Sequence, residues 1–239
     1  MRGLLELALP SSCADCGSAV AASAVLCVRC DARLPRLAAG GCPHCQRPGT
    51  GGAACGACAS RATPLAACFA AAAYAGDVES WIRRFKYPRR GWRGLDPAPL
   101  GVVRQLVIEV ARAAPGPSPA SIIPVPLHPR RLRERGFNPA ALLARCVARE
   151  RGGRFDAAFL ERVRDTPSQT GLDRRARRAN VRGAFRVRAG TRAPRVIWLV
   201  DDVVTTGSTL VECARALRRA GAQRVVAICI ARTPEAREE

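Results

Sequence analysis

The run VIWLVDDVVTTGSTL, residues Val196 to Leu210, decides the fold. VIWLV is a continuous apolar stretch, the pattern of a strand covered on both faces of a parallel sheet. Asp201 and Asp202 follow at once, then Val203 and Val204, then Thr205, Thr206, Gly207, Ser208 and Thr209 opening a helix. Two carboxylates therefore stand at the carboxyl end of a strand, where open α/β sheets take their ligands. The hydroxyl-rich turn brings N–H groups to a helix N-terminus, which suits a phosphate. Carboxylates accept hydrogen bonds from vicinal sugar hydroxyls, so a sugar 5-phosphate satisfies both halves. A P-loop needs GxxxxGK[ST] and a Rossmann turn needs GxGxxG, and neither occurs here.

Reading outward, Leu210, Ala214 and Leu217 recur at core spacing along the helix, Gly221 stands at its C′ position, and RVVAICI is one more buried strand. Upstream, CFAAAAYA reads as a strand. DVESWIRRFKYP reads as a helix with Asp77 as N-cap and Val78, Trp81, Ile82 and Phe85 on one face. A further helix falls within Leu95 to Ala114, PGPSP at 115–119 is a loop, and SIIPVPL is a short strand with its prolines at the end. HPRRLRERGF reads as a basic loop. Asn138 and Pro139 then supply N-cap and N1 for a helix with Leu142, Leu143, Cys146 and Val147 inward, and residues 160–183 read as a polar loop plus a basic helix. Alternating strands and helices of this kind predict an α/β domain built on a parallel sheet.

The first segment has a different composition. Residues 1–62 are rich in Cys, Gly, Ala and Pro with no long helical period, so they cannot bury much apolar surface, and metal is the expected source of order. Four CxxC pairs fall here: Cys13/Cys16, Cys27/Cys30, Cys42/Cys45 and Cys55/Cys58, separated by 10, 11 and 9 residues. Each knuckle presents two thiolates and two knuckles complete a tetrahedral Cys₄ zinc site, so eight ligands predict two structural Zn²⁺. A redox CxxC is expected once and beside a βαβ pattern; iron–sulfur ligation and disulfides are the other rivals. Sequential pairing is the simpler arrangement, and interleaved pairing stays open. His44 reads as a bystander, and Cys68, Cys146, Cys213 and Cys229 read as buried structural thiols. The chain divides on this reading into a double zinc ribbon, 1–62, and an α/β domain, 63–239.

The net charge of +20 is carried almost wholly by arginine, Lys86 being the sole lysine. Such a balance favours phosphorylated metabolites or nucleic acid, although arginine-rich solvated faces share it, and the run Arg174, Arg175, Arg177, Arg178 reads mainly as such a face. No apolar stretch approaches the ~20 residues of a membrane span. MRGLLELALPSSC is interrupted by Glu6 and reads as a short amphipathic helix rather than a signal peptide. The expected location is cytoplasmic.

DDVVTTGST after a buried strand resembles the phosphoribosyl-pyrophosphate (PRPP) motif of type I phosphoribosyltransferases. Together with the CxxC ribbon, FKY at 85–87, PVPLHPRRLRERGFNPA at 124–140 and RDTPSQTGLDRRARRANVRGAF at 164–185, it resembles the competence protein F (ComF) family over nearly the whole chain. The resemblance implies a type I phosphoribosyltransferase fold preceded by a zinc ribbon. It implies that Asp201 and Asp202 meet the ribose hydroxyls, that Thr205, Thr206, Gly207, Ser208 and Thr209 wrap the 5′-phosphate, and that Mg²⁺ is held mainly by the pyrophosphate and sugar. It points to Leu127, His128 and Arg130, with Pro129, as the pyrophosphate loop, and to Lys86 as a further diphosphate contact. Gln169, Thr170, Arg178 and Asn180 match the mobile loop that closes over PRPP and excludes water.

Three functions compete on this reading. One is PRPP-dependent transfer to an acceptor, in DNA uptake or nucleotide salvage. The second is a PRPP-fold module that binds single-stranded DNA, with a competence-machinery protein as a further partner. The third is a PRPP sensor without chemistry. Phe137, Phe155, Phe159, Phe185 and Trp198 are the only Phe or Trp residues of the later half, too few for a long base-stacking platform.

Overall fold

The computed structural model describes residues 11–22, 24–38, 40–59, 63–88, 97–166 and 174–234. The expected N-terminal helix falls mostly outside them, as do Gln169 and Thr170. Among the described residues, β1 (Ser11–Ser12), β2 (Ala19–Val20), α1 (Val28–Ala32) and α2 (Gly56–Ala59) belong to the cysteine-rich segment. The main domain runs β3 (Ala67–Ala73), α3 (Gly76–Lys86), α4 (Pro97–Ala113), β4 (Ser121–Pro124), α5 (Pro129–Arg135), α6 (Pro139–Arg151), β5 (Arg154–Phe155), β6 (Leu160–Arg162), α7 (Arg174–Val181), β7 (Phe185–Val187), β8 (Val196–Val200), β9 (Val203–Val204), α8 (Ser208–Arg219) and β10 (Arg224–Arg232).

The central sheet has the order β3-β10-β8-β4-β5, every neighbouring pair parallel, with β9 continuing the line of β8 against the far end of β10. The predicted all-parallel sheet is what forms. Ile123, Ile197, Leu199, Val225 and Ala227 pack on one face with Leu210, Cys213 and Leu217 of α8. Ile122, Trp198, Val200, Val226 and Ile228 pack on the other with α3, α4 and α6. This alternation explains the unbroken apolar runs in the sequence: both faces are covered, so neither parity can be polar. Trp198 is fully buried, and burial of a side chain this size contributes roughly 2–3 kcal/mol.

Three local readings change. Residues 160–162, expected to open a polar loop, form strand β6 and pair antiparallel with β7. Residues 129–135 form a helix rather than a loop: Pro129 occupies N1, His128 is the N-cap, and Gly136 at φ 84° closes it with its N–H donating to the Leu132 carbonyl at 2.8 Å. The helix buries none of its residues, so it had no apolar period to announce it. Helix α3 is capped at Ala75, which leaves Asp77 in the first turn, favourably placed against the helix dipole. Asn138 does cap α6, its Oδ1 accepting from the Ala140 N–H at 3.1 Å.

The cysteine-rich segment is docked on the sheet edge. The N–H of Ala73 donates to the Pro35 carbonyl at 2.7 Å and that of Leu37 to Ala71 at 3.0 Å, so residues 35–37 flank β3 antiparallel to it. Arg36 bridges Asp31 and Glu109 of α4 at 2.9 and 3.2 Å. Further along, the Cys68 N–H donates to the Pro43 carbonyl at 2.7 Å, and the Arg232 guanidinium donates to the Cys45 carbonyl.

Candidate functional site

Strand β8 ends at Val200, and the chain then crosses the sheet's carboxyl edge. The Asp201 N–H donates to the Ile228 carbonyl at 3.0 Å, and the Asp202 carbonyl accepts from Ile230 and Ala231 at 3.0 and 3.2 Å. Both carboxylates are thus fixed by backbone pairing to β10. The Asp202 N–H also donates to Oδ1 of Asp201 at 2.9 Å.

The turn into α8 is set by Gly207, at φ 72°, in the left-handed region. A Cβ there would have room, its nearest neighbour being Val204 Cγ2 at 4.0 Å. The backbone angle, not crowding, is what favours glycine. The Thr206 and Ser208 hydroxyls lie 2.8 Å apart across it. The first N–H groups of a helix lack intrahelical partners, so this turn has backbone donors to offer an anion.

Asp201, Asp202, Val203, Thr205 and Thr209 line a cavity of about 650 Å³. Leu127, Asn138, Tyr74 and Tyr87 also face it, and so do five cations: Arg83 and Lys86 of α3, Arg131 and Arg135 of α5, and Arg162 of β6. Among the described residues Glu79 is the one other acid on the lining, so their fully ionised groups leave a net positive charge. Lys86 Nζ pairs with Asp202 Oδ1 at 2.9 Å. Burial alone would pull Lys86 down, but Asp202 outweighs it and holds the ammonium above its ordinary value. Asp201 is pushed up to about 7, first by burial and then by the charge of Asp202, with Lys86 opposing.

The expected site residues separate into groups. Asp201, Asp202, Thr205, Thr209, Leu127 and Lys86 meet in this one cavity. Thr206, Gly207 and Ser208 line a second cavity. His128 and Arg130 turn to Asp165, at 3.6 and 3.0 Å, and it is Arg131 that faces the first cavity. Asn180 and the Arg178 backbone lie in α7.

Arg162 is the residue that sequence reading passed over. The β6–β7 hairpin carries it over the sheet edge, with its guanidinium 5.6 Å from the Phe185 ring centroid and donating to Thr166 Oγ1. Its Nε is buried without a hydrogen-bond partner. Burial, and then repulsion from Arg131, pull it below its ordinary value. An unpaired buried donor costs about 1–3 kcal/mol, and an anion entering the cavity would remove that cost.

The cysteines form two clusters, Cys13/Cys16/Cys27/Cys30 and Cys42/Cys45/Cys55/Cys58, each with its sulfurs within 4.8 Å of one another. The pairing is therefore sequential. Two sulfurs on a tetrahedral zinc stand about 3.8 Å apart, given Zn–S of ~2.3 Å, and Cys16–Cys27 and Cys45–Cys55 are both at 3.7 Å. The clusters repeat in detail: the Cys27 N–H donates to Cys13 Sγ and the Cys55 N–H to Cys42 Sγ, each at 3.3 Å. Both fit a structural, fully ligated zinc. His44 stands outside the second cluster, its Nδ1 3.3 Å from the Leu65 carbonyl.

Residues 4–59 match the double zinc ribbon domain and residues 170–239 the phosphoribosyl transferase domain. DNA utilization protein YhgH of Salmonella typhi is 34% identical over 229 residues, covering 95% of this chain and 99% of that protein. Competence protein F of Haemophilus influenzae is 33% identical over 154 residues, 64% of this chain and 66% of that protein. Among solved structures, glutamine PRPP amidotransferase from B. subtilis, complexed with ADP and GMP, shares 18% identity at a TM-score of 0.40, over 60% of this chain and 29% of that one.

Proposed function

The chain belongs to the ComF family, and from that premise we propose that it binds PRPP with Mg²⁺ at Asp201 to Thr209 and transfers the phosphoribosyl group to an acceptor in the handling of DNA or its nucleotides. The observation that carries this is the meeting of two fixed carboxylates, the edge of a phosphate-type turn and five cations in one cavity. A sugar bearing a phosphate at one end and a diphosphate at the other has matching groups for all three.

On this reading Asp201 and Asp202 accept from the ribose hydroxyls, and the Thr205–Thr209 turn donates to the 5′-phosphate. Lys86, Arg131, Arg135 and Arg162 surround the diphosphate, Arg162 gaining the partner its Nε lacks. Bound Mg²⁺ would be held by the diphosphate, the sugar hydroxyls and the two carboxylates, and would neutralise leaving-group charge. The bond from ribose C1 to the diphosphate oxygen breaks with its electron pair leaving on the diphosphate. An acceptor lone pair forms the new bond to C1, and the acceptor's proton passes to solvent. The cations favour this step because charge grows on the diphosphate as the bond breaks.

A direct test incubates the chain with PRPP–Mg²⁺ and a panel of nucleobases and follows pyrophosphate release. One acceptor should accelerate release, and Asp201→Asn with Asp202→Asn should lower it at least a hundredfold. Release equal in wild type and variant would refute transfer at this site.

The names of the relatives, DNA utilization protein and competence protein, together with the charge of +20, favour a second reading as a single-stranded DNA-binding module acting with competence machinery. Its signature is oligonucleotide affinity that falls steeply with added salt, measured by fluorescence anisotropy. Affinity absent at low salt would dispose of it.

A further inference from the structure

Helix α3 stops at Tyr87 because Pro88 follows it. A residue before proline is pushed out of the helical region, and Tyr87 stands at φ −129°, ψ 68°. Its N–H still donates to the Arg83 carbonyl at 2.9 Å, so the backbone is fixed where the side chain leaves the helix. Tyr87 lines the cavity of Asp201 and Asp202 next to Lys86. The Arg135 guanidinium, from the last residue of α5, lies 4.5 Å from its ring centroid, a cation–π contact that ties α5 to α3 and holds the ring's orientation. One face of the ring is therefore taken. Tyr87 is nonetheless 64% exposed, and among the described residues it is the one large aromatic side chain that is exposed, whereas Trp81 and Phe85 of the same helix are buried in the core. A ring surface is left open to a ligand.

Its position gives that surface a use. Lys86, the preceding residue, reaches Asp202 Oδ1 at 2.9 Å, so Tyr87 stands one residue from a contact to the carboxylate pair that the transfer reading assigns to the ribose hydroxyls. A ribose held there has its C1 in the same cavity, whose volume of about 650 Å³ falls within the ~300–1,000 Å³ of small-molecule sites. An aromatic side chain already held in place loses little freedom when a flat ring stacks on it, and stacking of one base raises affinity by about tenfold or more. Ammonia or a small alcohol offers no surface to stack. We propose that Tyr87 is the platform on which the acceptor stacks, and that the acceptor is a flat heteroaromatic base; this rests on the transfer reading above. A ring nitrogen's lone pair then forms the bond to C1 while the diphosphate leaves with its electron pair, and the N–H proton passes to solvent.

The test compares ribose 5-phosphate with AMP, GMP, CMP and UMP by calorimetry on the zinc-loaded full chain, each nucleotide being ribose 5-phosphate with a base on C1. At least one nucleotide should bind about tenfold or more tighter than ribose 5-phosphate. Tyr87→Ala should erase that margin while leaving ribose 5-phosphate affinity unchanged, and Tyr87→Phe, which keeps the ring and loses the hydroxyl, should retain it. A margin absent from wild type, or one that persists in Tyr87→Ala, overturns the proposal and leaves the sugar-phosphate site standing. A margin lost equally in Tyr87→Phe would assign it to the hydroxyl and overturn stacking. Failure of ribose 5-phosphate itself to bind wild type would overturn the sugar-phosphate site, and the acceptor platform with it.

Discussion

Lys86 Nζ lies 2.9 Å from Asp202 Oδ1, with the two side chains only 21% and 14% exposed. The sole lysine of a chain otherwise basic through arginine is thus spent on one carboxylate of the candidate site. Lys86→Met leaves that carboxylate half-buried and unpaired, so it should destabilise the fold by about 2 kcal/mol and weaken PRPP–Mg²⁺ binding at least tenfold. Urea unfolding and calorimetry check the two effects. Unchanged stability and affinity would show that the pair is incidental.

Asp201 should make the site sensitive to pH near neutrality. Its carboxyl titrates at about 7 in the folded chain against an ordinary value of 3.8. Unfolding lets it ionise earlier, so its contribution to stability is lost as pH rises from near 4 through 7. Asp201→Asn should therefore stabilise the chain at pH 8 by on the order of 4 kcal/mol and have little effect at pH 4. Binding that needs the carboxylate should weaken up to tenfold per pH unit below 7 and release protons, which shows as a buffer-dependent binding enthalpy.

Two zincs per chain are expected by elemental analysis. Because residues 35–37 flank β3 and Cys68 bonds to the Pro43 carbonyl, chelation should do more than unfold a tail. Exchange protection should drop at Cys68, Leu37 and Ala73 while amides of β8 remain protected. Protection unchanged after complete zinc removal would mean that the ribbons hold their shape without metal.

Arg162→Ala removes a cation whose Nε has no partner but whose guanidinium also donates to buried Thr166 and packs over Phe185, so both ligand and fold should register the loss. PRPP or pyrophosphate affinity should fall about tenfold or more, with the unfolding free energy lowered by about 1–3 kcal/mol. Arg162→Lys should recover only part of the affinity, a lysine lacking the planar fork.

How far the sequence discloses this site depends on how locally each part is built. The carboxylates and phosphate turn lie within one strand–turn–helix unit, and every signal in it is short-range: the apolar run, the acid pair, the glycine. The zinc clusters are equally local, since each knuckle fixes its own two sulfurs. Arg162 is different. LERVRD carries no motif, and its place in the cavity depends on the β6–β7 hairpin folding over the sheet edge, a tertiary event. Arg130 and Arg131 illustrate a finer limit, because on a helix with no buried face nothing in the residue pattern shows which arginine meets the cavity and which meets Asp165. The docking of residues 35–37 on β3 likewise leaves no periodic trace.

The central claim, that Asp201 and Asp202 with the Thr205–Thr209 turn bind a phosphorylated ribose, is tested most directly by titrating PRPP–Mg²⁺ into wild type and into Asp201→Ala, Asp202→Ala by calorimetry at pH 8. The expected result is single-site binding to wild type, weakened at least a hundredfold in a variant that remains folded by circular dichroism. Equal binding by both proteins, or binding by neither, would contradict it.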